Sequence, residues 1–347
     1  MKRALTTLLI FVILSGLANG QKTIVGKVLN KTTLEPIPYA NIGILNSNVG
    51  TLSNKDGSFS ILIPERLCHD TLNFTSLGYN KRKLAVNGLK PTQDLKIFLD
   101  EMSIMLKSVV VTAKRSRGKL IELGNSKSYT GTYEPDTTYA GRAVALLIDK
   151  RSFKKGFSFP FLVKNASLFI YKNNLETFKF RIRINKFDSL TGKPGEDLIE
   201  KSIIVESSVK GGWIDFDLTN QYFEARGPFF VTFEQLIDKD DRATVAKGFR
   251  DIVSLHPNWI RRDTLKFNGV KQVVQKFTKD DLEIPGTFIG ATNSKSDLNK
   301  YSCFIRQTSL GEWVKVPIVI AATISATVFS DLKSKDSKEA QIMEIHM

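Results

Sequence analysis

Between Lys22 and Thr112 the chain is a series of short apolar runs cut by turn residues, with no helical period between them. Thr23-Ile24-Val25-Gly26-Lys27-Val28 alternates and reads as a strand, because side chains on an extended backbone point to opposite faces in turn. Pro36 and Pro38 break the chain before Tyr39-Ala40-Asn41-Ile42-Gly43-Ile44 alternates again. Asn54-Lys55-Asp56-Gly57 is a reversal, since Asp and Gly accept the backbone conformations a tight turn needs. Ser58–Ile63, Asp70–Thr75, Leu95–Leu99 and Ser108–Thr112 complete the set. This spacing predicts a small antiparallel β-sandwich over residues 21–112.

The next segment, 113–140, reads as a linker. Lys114, Arg115, Arg117 and Lys119 cluster around Gly118, and Pro135-Asp136-Thr137-Thr138 is turn-like. The basic cluster suits either a solvated linker or contact with an anionic surface. From 141 to 330 the predicted strands lengthen. Phe178, Phe180, Ile182 and Ile184 fall on one face of a strictly alternating run, and Lys179, Arg181 and Arg183 on the other. That pattern predicts a sheet packed on one side and wet on the other. Further strands are expected at Ile203–Val205, Trp213–Leu218 and Pro228–Phe233, and a final buried strand within the apolar run Pro317–Phe329. Only Arg142–Ile148 and Val270–Phe277 suggest helix, and both are short. The expectation is an all-β chain: a smaller sandwich, then a larger β-sandwich of jelly-roll type over 141–330, then a polar tail, 331–347.

Several ordered elements of the first region resemble a known family. Gly26-x-Val28, Pro38-x-Ala40-x-Ile42, Gly50-Thr51 ahead of Asp56-Gly57-x-Phe59, Leu72-x-Phe74 leading to Gly78-Tyr79, and Val109-Val110-Val111-Thr112-Ala113 are similar to the carboxypeptidase regulatory-like domain. The resemblance implies a transthyretin-like, Ig-like β-sandwich over about 22–112. It also implies an exported protein of the kind common in Bacteroidota, where this domain often precedes outer-membrane receptors, and it implies no peptidase activity. A weaker resemblance links Lys179 to Asp188, Lys193-Pro194-Gly195-x-Asp197-Leu198, Gly212-Trp213 and Phe229-Phe230-Val231 to the domain that often follows it. No catalytic residues come with that second resemblance.

The first twenty residues read as a secretory signal. Lys2 and Arg3 precede the apolar run Ala4–Leu14, and Ala18-Asn19-Gly20 offers small residues for cleavage before Gln21. The run is shorter than the roughly 20 apolar residues a spanning helix needs, so no transmembrane span is expected. The expected location is outside the cytoplasm: periplasm, outer membrane or cell surface. The formal charge of +15 becomes +13 once Lys2 and Arg3 are removed. Export argues against nucleic acid, so no nucleic-acid partner is expected, and the charge is left to envelope polymers or simple solubility. Two cysteines, Cys68 and Cys303, are too few for a disulfide framework and read as two separate thiols, with a bridge as the alternative.

Catalytic signatures are missing. The three histidines, His69, His256 and His346, are isolated, so no zinc-hydrolase spacing exists, and no metal or cofactor is expected. Gly156-Phe157-Ser158-Phe159-Pro160 has Pro where a nucleophile elbow needs Gly. Asp215 and Asp217 alternate on one strand face, and Asp238, Asp240 and Asp241 crowd what reads as a turn. Solvated acids explain both groups without a glycosidase pair.

The residues that attract attention are out-of-phase aromatics. In Trp213–Leu218 the apolar face is Ile214, Phe216 and Leu218, so Trp213 shares the polar face with Asp215 and Asp217. Trp313 likewise shares a face with Lys315, and Trp259 sits in a loop-like stretch. Exposed aromatics beside acids are what sugar rings stack on and hydrogen-bond to. Trp213, Asp215, Trp259 and Trp313 are therefore the candidate ligand-binding residues of a non-catalytic envelope protein. The expected partner is an envelope glycan, or, alternatively, an outer-membrane uptake or secretion complex.

Overall fold

A computed structural model describes residues 21–90, 94–102, 118–126, 129, 131–133, 140–153, 157–267, 270–277 and 285–329; for 131–133, 249, 259–267 and 270–277 it describes the backbone alone. The expected signal segment, the strand at Ser108–Thr112, three of the four basic linker residues and the polar tail lie outside the described residues.

The N-terminal sandwich uses β1 (Lys22–Asn30), β2 (Asn41–Ile44), β3 (Gly50–Leu52), β4 (Ser58–Ile63), β5 (Thr71–Thr75), β6 (Arg82–Ala85) and β7 (Asp94–Leu99). One sheet has the order β4-β1-β7 and the other β3-β2-β5-β6. β1 and β7 run parallel; the other pairs are antiparallel. Alternation does what it predicts: Ile24 and Val28 of β1, Phe59, Ile61 and Ile63 of β4, Leu72 and Phe74 of β5, and Ile97 and Leu99 of β7 share one buried core. The Asn54–Gly57 reversal is closed by the Gly57 N–H donating to the Asn54 carbonyl at 2.9 Å.

The larger sandwich begins inside the stretch expected to be a linker. Its strands are β8 (Lys119–Gly124), β9 (Gly131–Tyr133), β10 (Ala143–Ile148), β11 (Phe161–Asn173), β12 (Phe178–Phe187), β13 (Pro194–Asp197), β14 (Ile203–Ser207), β15 (Gly212–Asp217) and β16 (Glu224–Ala225). They continue as β17 (Phe229–Leu236), β18 (Ile260–Phe267), β19 (Val270–Phe277), β20 (Thr287–Thr292), β21 (Cys303–Arg306), β22 (Val314–Val316), β23 (Val319–Ile320) and β24 (Ala322–Val328). One sheet has the order β13-β12-β17-β10-β21-β22, with β14 added on β12. The other has the order β23-β20-β11-β24-β8, with β15 and β16 on β11 and β9 on β20. β18 and β19 pair as a separate hairpin. The main core lies between these two large sheets, lined by residues such as Phe161, Ile170, Phe180, Ile182, Phe216 and Phe233. The chain is thus an all-β protein of sandwich domains with two α-helices among the described residues, α1 (Lys239–Leu255) and α2 (Lys295–Lys300).

Three local expectations are corrected. Arg142–Ile148 and Val270–Phe277, expected as helix, are the strands β10 and β19. β10 is apolar without a break because both its faces are covered: Val144, Leu146 and Ile148 enter the main core, while Ala145 and Leu147 pack under Phe230 and Phe304. A short continuous apolar run carries no period by which to tell strand from helix. Conversely, Asp238, Asp240 and Asp241 do not crowd a turn. They begin α1, where acids in the first turn complement the exposed N–H groups.

Candidate functional site

The two large sheets of the second sandwich share a core, so each turns an outer face away from it. These two outer faces differ completely. On the first sheet, Arg181, Arg183 and Asn185 of β12 lie beside Thr232 and Glu234 of β17, with Arg306 of β21 across β10. All six are buried, Glu234 fully and Arg181 to 1% exposure. The expected wet face of β12 is therefore not wet. Its alternation holds, but the smaller sandwich lies over it.

Charge pairing makes that burial tolerable. Arg181 donates to Glu234 Oε2 through Nε at 2.9 Å, with Nη2 at 2.7 Å, and Arg306 Nη2 reaches Oε1 at 2.7 Å. Arg183 meets Asp197 with Nε at 2.8 Å and Nη2 at 2.5 Å, and its Nη1 is 3.3 Å from Glu234. Burial alone would raise the Glu234 carboxyl, but Arg181, Arg306 and Arg183 outweigh it and hold the group at about 2. The cluster also crosses between sandwiches. Arg181 Nη1 donates to the Tyr39 carbonyl at 2.8 Å. The Asn41 amide, oriented to satisfy its neighbours, donates to Glu234 Oε1 at 2.8 Å and to Ser309 Oγ at 2.7 Å, and accepts from Arg183 Nη1 at 2.8 Å. Asn46 N–H donates to the Leu310 carbonyl at 3.0 Å. Tyr39 and Leu52 pack with Ala140 and Leu236 beside this seam, and a Cβ on Gly50 would come within 2.1 Å of the Ser309 carbonyl oxygen.

Trp313 belongs to this buried face. It precedes β22, is half-buried with Phe187 against the Phe230 and Phe304 cluster, and its ring lies 5.1 Å from the Arg306 guanidinium carbon. Its neighbours explain it as a cover for Arg306.

The outer face of the other sheet carries an aromatic row in the open. Ala166, Leu168 and Ile170 of β11 point into the core, so Ser167, Phe169 and Tyr171 point out. Register then places Trp213 opposite Phe169 and Asp215 opposite Ser167. The Phe169 and Trp213 rings are 5.3 Å apart and tilted, and Tyr129 stacks on Phe169 at 4.3 Å. Trp213 is 39% exposed and Tyr129 40% exposed. Gly290 makes room for the row, because a Cβ there would sit 2.8 Å from the Phe169 ring. Beside the rings, Ser167 Oγ donates to Asp215 Oδ1 at 2.5 Å. The hydroxyl fixes the carboxylate, which keeps its remaining acceptor sites for solvent or a ligand.

Of the four candidate residues, Trp213 and Asp215 are neighbours on this face, with Trp313 on the opposite side of the sandwich. The Trp259 side chain lies outside the described residues. Sequence reasoning missed Phe169, Tyr171 and Tyr129. Outward aromatics out of phase with Ala166, Leu168 and Ile170 were the signal for the first two, and Tyr129 falls in the supposed linker. Cys68 and Cys303 are separate free thiols, and burial pushes Cys303 up to about 12. Among the described residues no group of His, Cys, Asp and Glu side chains is placed to hold a metal ion. No described helix is long and apolar enough to cross a membrane.

No curated protein matches the sequence. Among solved structures, the chain is similar to the clostridial cysteine protease Cwp84 after propeptide cleavage, at 10% identity and TM-score 0.31 over 60% of this chain and 40% of that one. It is similar to the structure of infectious bursal disease virus, Gx strain, at 9% identity and TM-score 0.24 over 89% of this chain and 65% of that one. The chain thus spans less than two thirds of the length of either, and likeness at this level carries neither fold nor activity across. The family comparison is local and specific. It matches the CarboxypepD_reg-like domain over residues 24–111, the stretch that holds β1 to β7. The N-terminal sandwich of this chain is a CarboxypepD_reg-like domain.

Proposed function

We propose that the chain is an exported, non-catalytic binding protein of the cell envelope that recognises a glycan or another envelope polymer. The observation that carries this reading is the exposed row of Trp213, Phe169 and Tyr129 beside the Ser167-held carboxylate of Asp215. Apolar ring surface next to fixed hydrogen-bond acceptors matches the two sides of a sugar: C–H groups on the faces and hydroxyls at the rim. The apolar sequence of residues 4–14 supports export.

A binding screen tests it. The chain from Gln21 onward is presented to bacterial and plant polysaccharides and to peptidoglycan, as wild type and as Trp213→Ala and Trp313→Ala. Saturable binding lost in Trp213→Ala and kept in Trp313→Ala is expected; indifference to every polymer sinks the reading. A second reading has its own support. The ionic cluster buried beneath the N-terminal domain hydrogen-bonds across the two sandwiches, which suits an interaction module accessory to an outer-membrane uptake or secretion complex. Co-purification with such a complex, unaffected by Trp213→Ala, would favour it.

A further inference from the structure

A separate concave site lies on the N-terminal domain, on its edge strands. β6 borders the four-stranded sheet and β7 the three-stranded one, and where they part a cleft of about 350 Å³ opens. That volume is within the roughly 300–1,000 Å³ of small-molecule sites. Lys31, Asn80, Lys81, Arg82, Phe98 and Asp100 line it. Arg82 bridges the two sheets, donating through Nη1 to the Phe98 carbonyl at 3.2 Å, and its other N–H donors have no partner among the described residues. Asp100 is taken by Lys31 at 2.7 Å. Among the described residues neither Lys81 nor Arg82 pairs with a carboxylate, so the cleft holds two cations in excess beside a half-buried phenyl ring.

We propose that this cleft binds an anionic saccharide, with its ring against Phe98 and its carboxylate or phosphate on Arg82 and Lys81. A guanidinium presents paired donors that match either oxyanion, and a half-buried phenyl ring offers the apolar surface a pyranose face needs. A free anion uses only the charges and a neutral sugar only the ring, so the site distinguishes an acidic sugar from both. It shares no residue with the aromatic row of the second sandwich.

Titration calorimetry on the chain from Gln21 onward tests the assignment with galacturonate, glucose 6-phosphate, galactose, glucose and inorganic phosphate. Saturable binding of one or both acidic sugars is expected, about tenfold or more tighter than the matching neutral sugar, the factor a charge-assisted hydrogen bond supplies. Binding by galacturonate alone identifies a carboxylate as the natural group, and by glucose 6-phosphate alone a phosphate. Arg82→Ala should weaken the acidic sugar about tenfold. Lys81→Ala, at an exposed position with no bond across the sheets, should weaken it in the same direction should Arg82→Ala disturb the sheet edge. Trp213→Ala should leave this binding unchanged, which separates the cleft from the function proposed above. The proposal is overturned if neutral sugars bind as tightly, if inorganic phosphate matches glucose 6-phosphate, if both cation variants bind as wild type does, or if nothing saturates.

Discussion

The second sandwich has two outer faces built by the same rule and used in opposite ways. On β12 the residues out of phase with the core are Lys179, Arg181, Arg183 and Asn185; on β11 and β15 they are Ser167, Phe169, Tyr171, Trp213 and Asp215. By composition the charged face should meet water and the aromatic face should be covered. The structure does the reverse, sealing the arginines under the N-terminal domain and leaving the aromatics open. Side-chain polarity does not decide which face of a sheet is buried; what covers it does. A buried charged face needs its partners supplied in place, here Glu234, Asp197 and the polar groups of Tyr39 and Asn41. An open aromatic face needs no partner to fold.

The sharpest way to break this contrast is to remove the carboxylate at the centre of the buried face. Glu234→Ala leaves Arg181, Arg183 and Arg306 without their shared counter-charge, and breaking a buried pair by deleting one partner costs about 3–5 kcal/mol. Asp215→Ala on the open face should cost no more than about 0.5 kcal/mol, the usual size for a surface substitution. Urea titrations of the two variants read the difference directly, and equal losses would show that the two faces are not energetically distinct.

Proton linkage gives a second handle on the same group. The folded-state carboxyl of Glu234 is held near 2, below its ordinary value of 4.5, so its contribution is present above the ordinary value and lost as pH falls through the folded one. The wild-type midpoint in urea should therefore fall between about pH 4.5 and 2, and Glu234→Gln should flatten that part of the profile. An unchanged slope in the Gln variant would mean that other carboxylates carry the acid sensitivity.

Two glycines probe the covers rather than the charges. Gly50 faces the Ser309 backbone across the seam, so Gly50→Ala drives a methyl group into a carbonyl that cannot swing aside. Overpacking of this kind costs about 1–3 kcal/mol. The relief should come from separation of the sandwiches, seen as faster proteolysis between them. Gly290→Ala meets a side chain instead of backbone, the Phe169 ring at Cδ1, on an open face where the ring can tilt outward, so its cost should be nearer about 1 kcal/mol. That shift disturbs the row without touching Trp213, and polymer binding should weaken while the seam stays closed.

What the sequence made legible follows from where the determining contacts sit. The N-terminal sandwich could be read because its alternation, its Asn54–Gly57 reversal and its spaced motif residues are all local. The face assignments on β12, β15 and β22 are also local. Their surroundings are not: Arg181 meets Tyr39 across 142 residues of chain, and no pattern around either announces the other. The same limit hides the surroundings of Trp313, whose ring lies 5.1 Å from the guanidinium carbon of Arg306 on a neighbouring strand. β8 and β9 were lost in a supposed linker because each pairs with a strand far along the chain, β24 and β20. Phe169, by contrast, was available from the phase of β11 alone.

The last contrast separates the two tryptophans. Trp313 lies over the Arg306 guanidinium, whose Nε has no hydrogen-bond partner among the described residues, so the ring is what shields that edge. A desolvated cation on an indole face is worth about 2 kcal/mol, and Trp313→Ala should lower stability by about that much and leave binding unaltered. Trp213 touches Phe169 but stands well exposed, so Trp213→Ala should cost less than about 1 kcal/mol, the size of an aromatic pair contact, and remove binding. Thermal melts and polymer binding measured on both variants cross the two effects. If Trp213→Ala proved the more destabilising of the pair, the ring would be holding the sheet together, and the open face would need another reason to be aromatic.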